Sequence, residues 1–167
     1  MKLTSASPSR PLPGAILGFC YLYTLFHGVT GTVMFALKLG FTPSSVARYY
    51  LGDPDRFMNP RSLSGLLEIT HFHLFSMALF YLVFCHLLAF TPLRSNYKRW
   101  LGCTLAFSLS ADLVCGWLIR YVWAGFAVVK LGAFFLLQGT ILLLLLTLAV
   151  HHFGNRSRCR EIIGETV

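Results

Sequence analysis

Four long apolar runs constrain this chain more than any other feature. They extend from about Gly14 to Leu39, Leu66 to Phe90, Trp100 to Trp123 and Gly125 to Val150, and together they occupy most of the 167 residues. A helix rises about 1.5 Å per residue and the hydrocarbon core of a bilayer is about 30 Å thick, so about 20 apolar residues suffice to cross it. Each run is long enough. The last is the most apolar, with Leu142-Leu143-Leu144-Leu145-Leu146 at its centre. The expected fold class is an all-α integral membrane protein, a four-helix transmembrane bundle forming a single membrane domain over 1–167. Only 12% of the residues are charged, against about 25% in soluble domains, so a water-exposed domain is excluded. The amino-terminal run exceeds the 7–15 residues typical of a signal-peptide core. It lacks a small-x-small cleavage pattern and is expected to remain as the first span.

Charge sets the expected orientation. Lys2 and Arg10 precede the first span, Arg94, Lys98 and Arg99 separate the second and third, and Arg156, Arg158 and Arg160 follow the fourth. Basic residues favour the cytoplasmic side, which places both termini in the cytoplasm and the 41–65 loop outside. Arg48, Arg56 and Arg61 in that loop are offset by Asp53, Asp55 and Glu68. The net charge of +8 then reflects contact with anionic lipid headgroups, and no nucleic-acid partner is expected. Within the loop, Thr42-Pro43-Ser44-Ser45 reads as a helix start, with Val46, Tyr49, Tyr50 and Phe57 expected at the membrane interface. Gly52-Asp53-Pro54-Asp55 and Asn59-Pro60-Arg61-Ser62 read as turns. The five cysteines form no Cys-x-x-Cys pair, so covalent c-type haem attachment is not expected.

All six histidines, His27, His71, His73, His86, His151 and His152, fall in or at the ends of the apolar runs, and the polar loop holds none. Ionisable groups at membrane depth are costly and usually face a bundle interior or a cofactor. His71 and His86 are 15 residues apart, or about 22 Å of helix and about 60° in azimuth, so they share a broad face at two levels. His73 is turned about 200° from His71 and about 140° from His86. Two b-type haems at two levels would each take imidazoles from two helices. His27, His71, His86 and His152 are the expected iron ligands, and His73 and His151 are the alternatives at the same positions. Gly31, one turn beyond His27, would admit a flat ring. Arg120 would neutralise haem propionates. Asp112 is expected either to take part in proton movement between the cytoplasm and a quinone pocket or to pair with Arg120 or Lys130 or bond to Ser108 and Tyr21, and Lys130, like Arg120, is expected either to snorkel outward or to neutralise haem propionates. A non-haem metal site from Glu68, His71, His73 and His27 is a second chemical reading. The di-iron and zinc-protease patterns are incomplete.

The tract Leu66-Leu67-Glu68-Ile69-Thr70-His71-Phe72-His73-Leu74-Phe75-Ser76-Met77, continuing to Cys85-His86, resembles small bacterial membrane subunits of the b-type cytochrome kind, and so does the four-span layout. Tyr49-Tyr50-Leu51-Gly52-Asp53 resembles part of an uncharacterised membrane-protein family. The resemblance implies a bacterial inner-membrane, multi-pass subunit of a respiratory oxidoreductase complex. Such a subunit binds one or two haems b and carries electrons between a quinone pool and a partner redox protein, often a periplasmic c-type cytochrome. The spacing of His71 and His86 is wider than that of paired ligands in two-haem bundles. The alternative expectation is a non-catalytic structural or assembly subunit of a larger membrane complex, and a metal or solute transporter ranks behind both.

Overall fold

The computed structural model describes residues 14–164, with side chains described up to Gly154. The basic residues Lys2 and Arg10 and the side chains of Arg156, Arg158 and Arg160 lie outside the described residues. Among the described residues five α-helices follow one another: α1 (Gly14–Lys38), α2 (Pro43–Leu51), α3 (Leu63–Ala89), α4 (Ser95–Tyr121) and α5 (Phe126–Gly164). Four of them, α1, α3, α4 and α5 as far as Gly154, are long and apolar enough to cross a membrane. The expected all-α, four-span fold is therefore observed. The third span starts earlier than the apolar run, at Ser95. The last helix continues past Val150 to Gly164.

The short α2 forms where its start signal lies. Thr42 Oγ1 accepts from Ser45 N at 3.2 Å, and Thr42 N donates to Ser45 Oγ at 3.3 Å. This reciprocal cap satisfies two free amide groups, and Pro43 supplies a preset φ at the first helical position. The helix stops at Gly52, whose φ is +83°. A Cβ there would stand 2.5 Å from the Met58 carbonyl oxygen, so only glycine fits. Beyond it, Asp53 and Met58 exchange two main-chain hydrogen bonds of 2.9 and 3.0 Å around a 3-10 turn, Pro54–Arg56. Arg61 N then donates to Tyr50 O, and Arg120 Nε of α4 donates to Arg61 O at 2.9 Å. Ser62 caps the start of α3. The loop is thus a structured cap, fastened to one end of the bundle.

α4 and α5 make the most extensive helix contact; α3 packs on α4, and α1 packs on α5. Burial follows the same order: 39% of the spanning window of α4 and of α5 is buried, against 17% for α1 and 11% for α3. No substantial contact joins α1 to α3. Two apolar clusters hold the helices together. Near the cap, Phe35, Val46, Tyr50, Leu66, Ile119, Ala127 and Phe134 pack together, with Phe35 and Phe134 stacked at 3.9 Å. At the far end Leu17, Tyr21, Phe84, Leu88, Leu101, Leu105 and Leu148 form the second cluster. Val46 and Tyr50, expected at the membrane interface, instead enter the bundle, with relative exposures of 0% and 7%. At the far end Lys98 Nζ donates to Ala89 O and Thr91 O, where a cation offsets the free carbonyls of the α3 terminus.

Candidate functional site

The face that each histidine takes decides what it can bind. On α3, His71 and His86 are exposed together with Phe72, Phe75, Leu79 and Leu82. They share one surface, as their spacing suggests, but that surface points away from α4. The Phe90 ring lies edge-on to His86 at 4.8 Å. Glu68 and His71 form no hydrogen bond or ion pair among the described residues. His73 differs. It is half-buried, and its Nδ1 lies 2.8 Å from the Ile69 carbonyl oxygen one turn back. That contact requires Nδ1–H, which in the neutral imidazole leaves the lone pair on Nε2. Tethers of this type orient imidazoles that bind metals.

His27 is exposed on a flank of α1. Gly31 borders open space, with nothing within 4 Å of where its Cβ would stand. The glycine facing α5 is Gly28, 3.8 Å from Gln138 Oε1 by the same measure. Depth brings His27 and His73 to one level. His27 lies 11 residues from Lys38, and His73 lies 10 residues from Leu63, or about 16 and 15 Å from the cap ends of their helices. No contact joins the two.

At the far end, His152 Nδ1 lies 2.8 Å from Tyr21 Oη and 2.9 Å from Leu148 O. Either the hydroxyl donates to Nδ1 or Nδ1–H is shared between the two oxygens, so Nδ1 is committed to an α1–α5 tie. His151 stacks edge-on against His152 at 5.1 Å. No hydrogen bond or ring contact links either of them to His86, so the structure does not bring the expected far-level ligands together. Among the described residues no group of three or more His, Cys, Asp and Glu side chains converges as a metal centre would require. The grouping of Glu68, His71, His73 and His27 is not formed. Arg120 is held at the cap by Arg61 O and lies over the Tyr121 ring at 5.2 Å.

The most unusual chemistry in the bundle is an ion pair. Asp112 and Lys130 are 8% and 7% exposed. Lys130 Nζ stands 2.8 Å from Asp112 Oδ1 and donates to the Asp112 carbonyl oxygen at 2.7 Å. The approach to Oδ1 is off-axis, and that oxygen accepts no directed hydrogen bond. Lys130 starts about 6 Å from the cap end of α5, while Asp112 lies about 14 Å from that of α4. The ammonium therefore reaches into the bundle, so of the two roles weighed for Lys130 outward snorkelling does not occur. Of the partners weighed for Asp112, Lys130 is the one found; Ser108 bonds to Leu105 O and Tyr21 to His152. Above the pair, the Tyr50 ring of α2 lies against Gly116, within 3.1–3.2 Å of where a Cβ would stand. Burial first, and the Asp112 carboxylate second, push the Tyr50 phenol well above the usual tyrosine range. The inward path of Lys130 has no sequence signal, because a lysine near a helix end reads equally well as interfacial.

These features define a four-span helical membrane protein with a capped end and a buried ion pair. Residues 40–159 match a family model described as a transmembrane helical domain, Aq_1264_TM, and the chain belongs to that family. The comparisons with curated proteins and with solved structures find no match.

Proposed function

We propose that this chain is a small electron-transfer subunit of the bacterial inner membrane that holds b-type haem through His73. The single observation that carries this reading is the tether of His73 Nδ1 to Ile69 O at 2.8 Å, which leaves Nε2 free on a half-buried imidazole at membrane depth. The donor chemistry of such an imidazole fits a haem iron. His27 is the candidate second ligand, because it lies at the same level and Gly31 leaves space beside it. Bound haem would supply one-electron chemistry. The chain itself would hold the ring in an apolar setting and exclude water. One haem fits this arrangement better than two, since among the described residues no hydrogen bond or ring contact brings His151 or His152 to His86. Electrons would pass between a quinone pool and a partner protein, for which a c-type cytochrome at the cap is the natural candidate. The capped end would then face the periplasm and both termini the cytoplasm.

The test is a pyridine haemochrome assay on protein purified after haem-replete expression. A haem-to-protein ratio near one is expected, lost in His73→Leu and retained in His71→Leu. A ratio near zero in well-folded protein would refute the reading. The second reading, a structural subunit of a larger complex, is favoured by the Asp112–Lys130 pair and the Tyr21–His152 tie, which both spend ionisable groups on helix packing.

A further inference from the structure

Between α1 and α5 runs a groove of about 280 Å³, lined in part by Thr24, Gly28, Thr32 and Gln138. Its rim residues Leu25, Val29, Val33 and Leu142 are about half exposed, so it opens sideways to the hydrocarbon. Its polar atoms are nearly all committed. Thr24 Oγ1 donates to Cys20 O at 2.8 Å, and Thr32 Oγ1 donates to Gly28 O at 2.9 Å. Gln138 Nε2 donates to Thr32 Oγ1 at 2.8 Å and to Gly28 O at 3.3 Å. The network favours this orientation of the amide, because turning it over would set Oε1 3.3 Å from the Gly28 carbonyl oxygen. Gln138 Oε1 is left without a donor among the described residues. It stands 12 residues into α5, about 18 Å from the cap end, near the middle of the span. An unpaired amide oxygen in hydrocarbon is costly.

The groove therefore suits an apolar molecule that brings one hydrogen-bond donor to mid-membrane. Lipids with hydroxyl headgroups keep those groups at the interface, whereas a quinol is apolar enough to travel through the hydrocarbon. We propose that this groove binds an isoprenoid quinol, with a ring hydroxyl donating to Gln138 Oε1 and the tail leaving between Leu25 and Leu142. This deepens the electron-transfer reading, and rests on it for the choice of a redox lipid over another hydroxyl donor. The quinone form has no hydroxyl to donate, so the site distinguishes the two redox forms.

The experiment is equilibrium binding of a decyl-quinol and of its quinone, under anaerobic reducing and oxidising conditions respectively, to the full chain in lipid nanodiscs. One net hydrogen bond corresponds to a quinol preference of about three- to tenfold. Gln138→Leu is expected to bind both forms equally, and Leu142→Trp, which fills the rim and leaves the amide network intact, to bind neither. Equal binding of the two forms by the unaltered chain would overturn the proposal. So would a preference that survives Gln138→Leu, undiminished binding in Leu142→Trp, or displacement of the quinol by diacylglycerol as readily as by unlabelled quinol. The haem ratio of the same samples separates the two readings. No haem with an intact quinol preference removes the electron-transfer reading alone, and haem without the preference removes the groove alone.

Discussion

Removing one member of the Asp112–Lys130 pair should harm the protein far more than removing both. At 2.8 Å, and with an effective dielectric constant of 20, two unit charges attract by about 6 kcal/mol. Taking them out of water costs several kcal/mol per ion, so the pair contributes little net stability. A lone charge keeps the cost and loses the attraction. Lys130→Leu should leave Asp112 buried and unpaired, destabilising the bundle by about 3–5 kcal/mol, and Asp112→Leu should do the same to Lys130. The double variant should recover to within about 1 kcal/mol of the parent, because leucine suits the apolar clusters on either side. The assay is reversible unfolding in mixed micelles, followed by circular dichroism, with all four proteins in one cycle. A coupling energy below about 1 kcal/mol would refute the reasoning, since the pair would then have to be hydrated or already broken.

Three smaller perturbations follow from the cap. Gly52→Ala puts a Cβ 2.5 Å from Met58 O at a φ of +83°, and should lower the thermal midpoint by an amount equivalent to about 2 kcal/mol or more, measured in detergent. Thr42→Ala removes the α2 cap and should cost about 1 kcal/mol in the same assay. The Tyr50 phenol is raised in the fold, so the folded state holds its proton more tightly than the unfolded state. Its stabilising contribution is complete below the ordinary tyrosine value of about 10 and declines as pH rises through and beyond it. Tyr50→Phe should flatten that alkaline decline, and an unchanged slope in a pH series of unfolding curves would count against the buried position of Tyr50.

The spans were legible because hydrocarbon thickness sets a length that few sequences meet by accident, and α2 was legible because Thr42, Pro43 and Ser45 act locally. The faces of the spans were not. α3 and α5 are apolar nearly all the way round, so periodicity carries no information about which side meets a helix and which meets lipid. This is why His71 and His73 could be assigned different azimuths but not different environments. Burial and a main-chain contact distinguish them, with His73 tethered and His71 exposed. Tyr50 misled for a related reason. A tyrosine beside a membrane suits the interface by composition, and its insertion depends on Gly116, 66 residues further along the chain.

α1 packs on α5 and has no substantial contact with α3, which has a consequence for assembly. The first span is synthesised long before its partner, so it waits alone in the bilayer while two further helices enter. A solitary helix in hydrocarbon cannot leave polar groups unpaired. In α1 the hydroxyls of Thr24, Thr30 and Thr32 each return a hydrogen bond to their own helix, at Cys20, Phe26 and Gly28. These three hydroxyls need no neighbour while α1 awaits α5, whereas Tyr21 finds its partner, His152, only when α5 arrives. Gln138 then arrives on α5 carrying the amide that reads the Gly28 carbonyl and the Thr32 oxygen, and so sets the register in which the last span closes on the first.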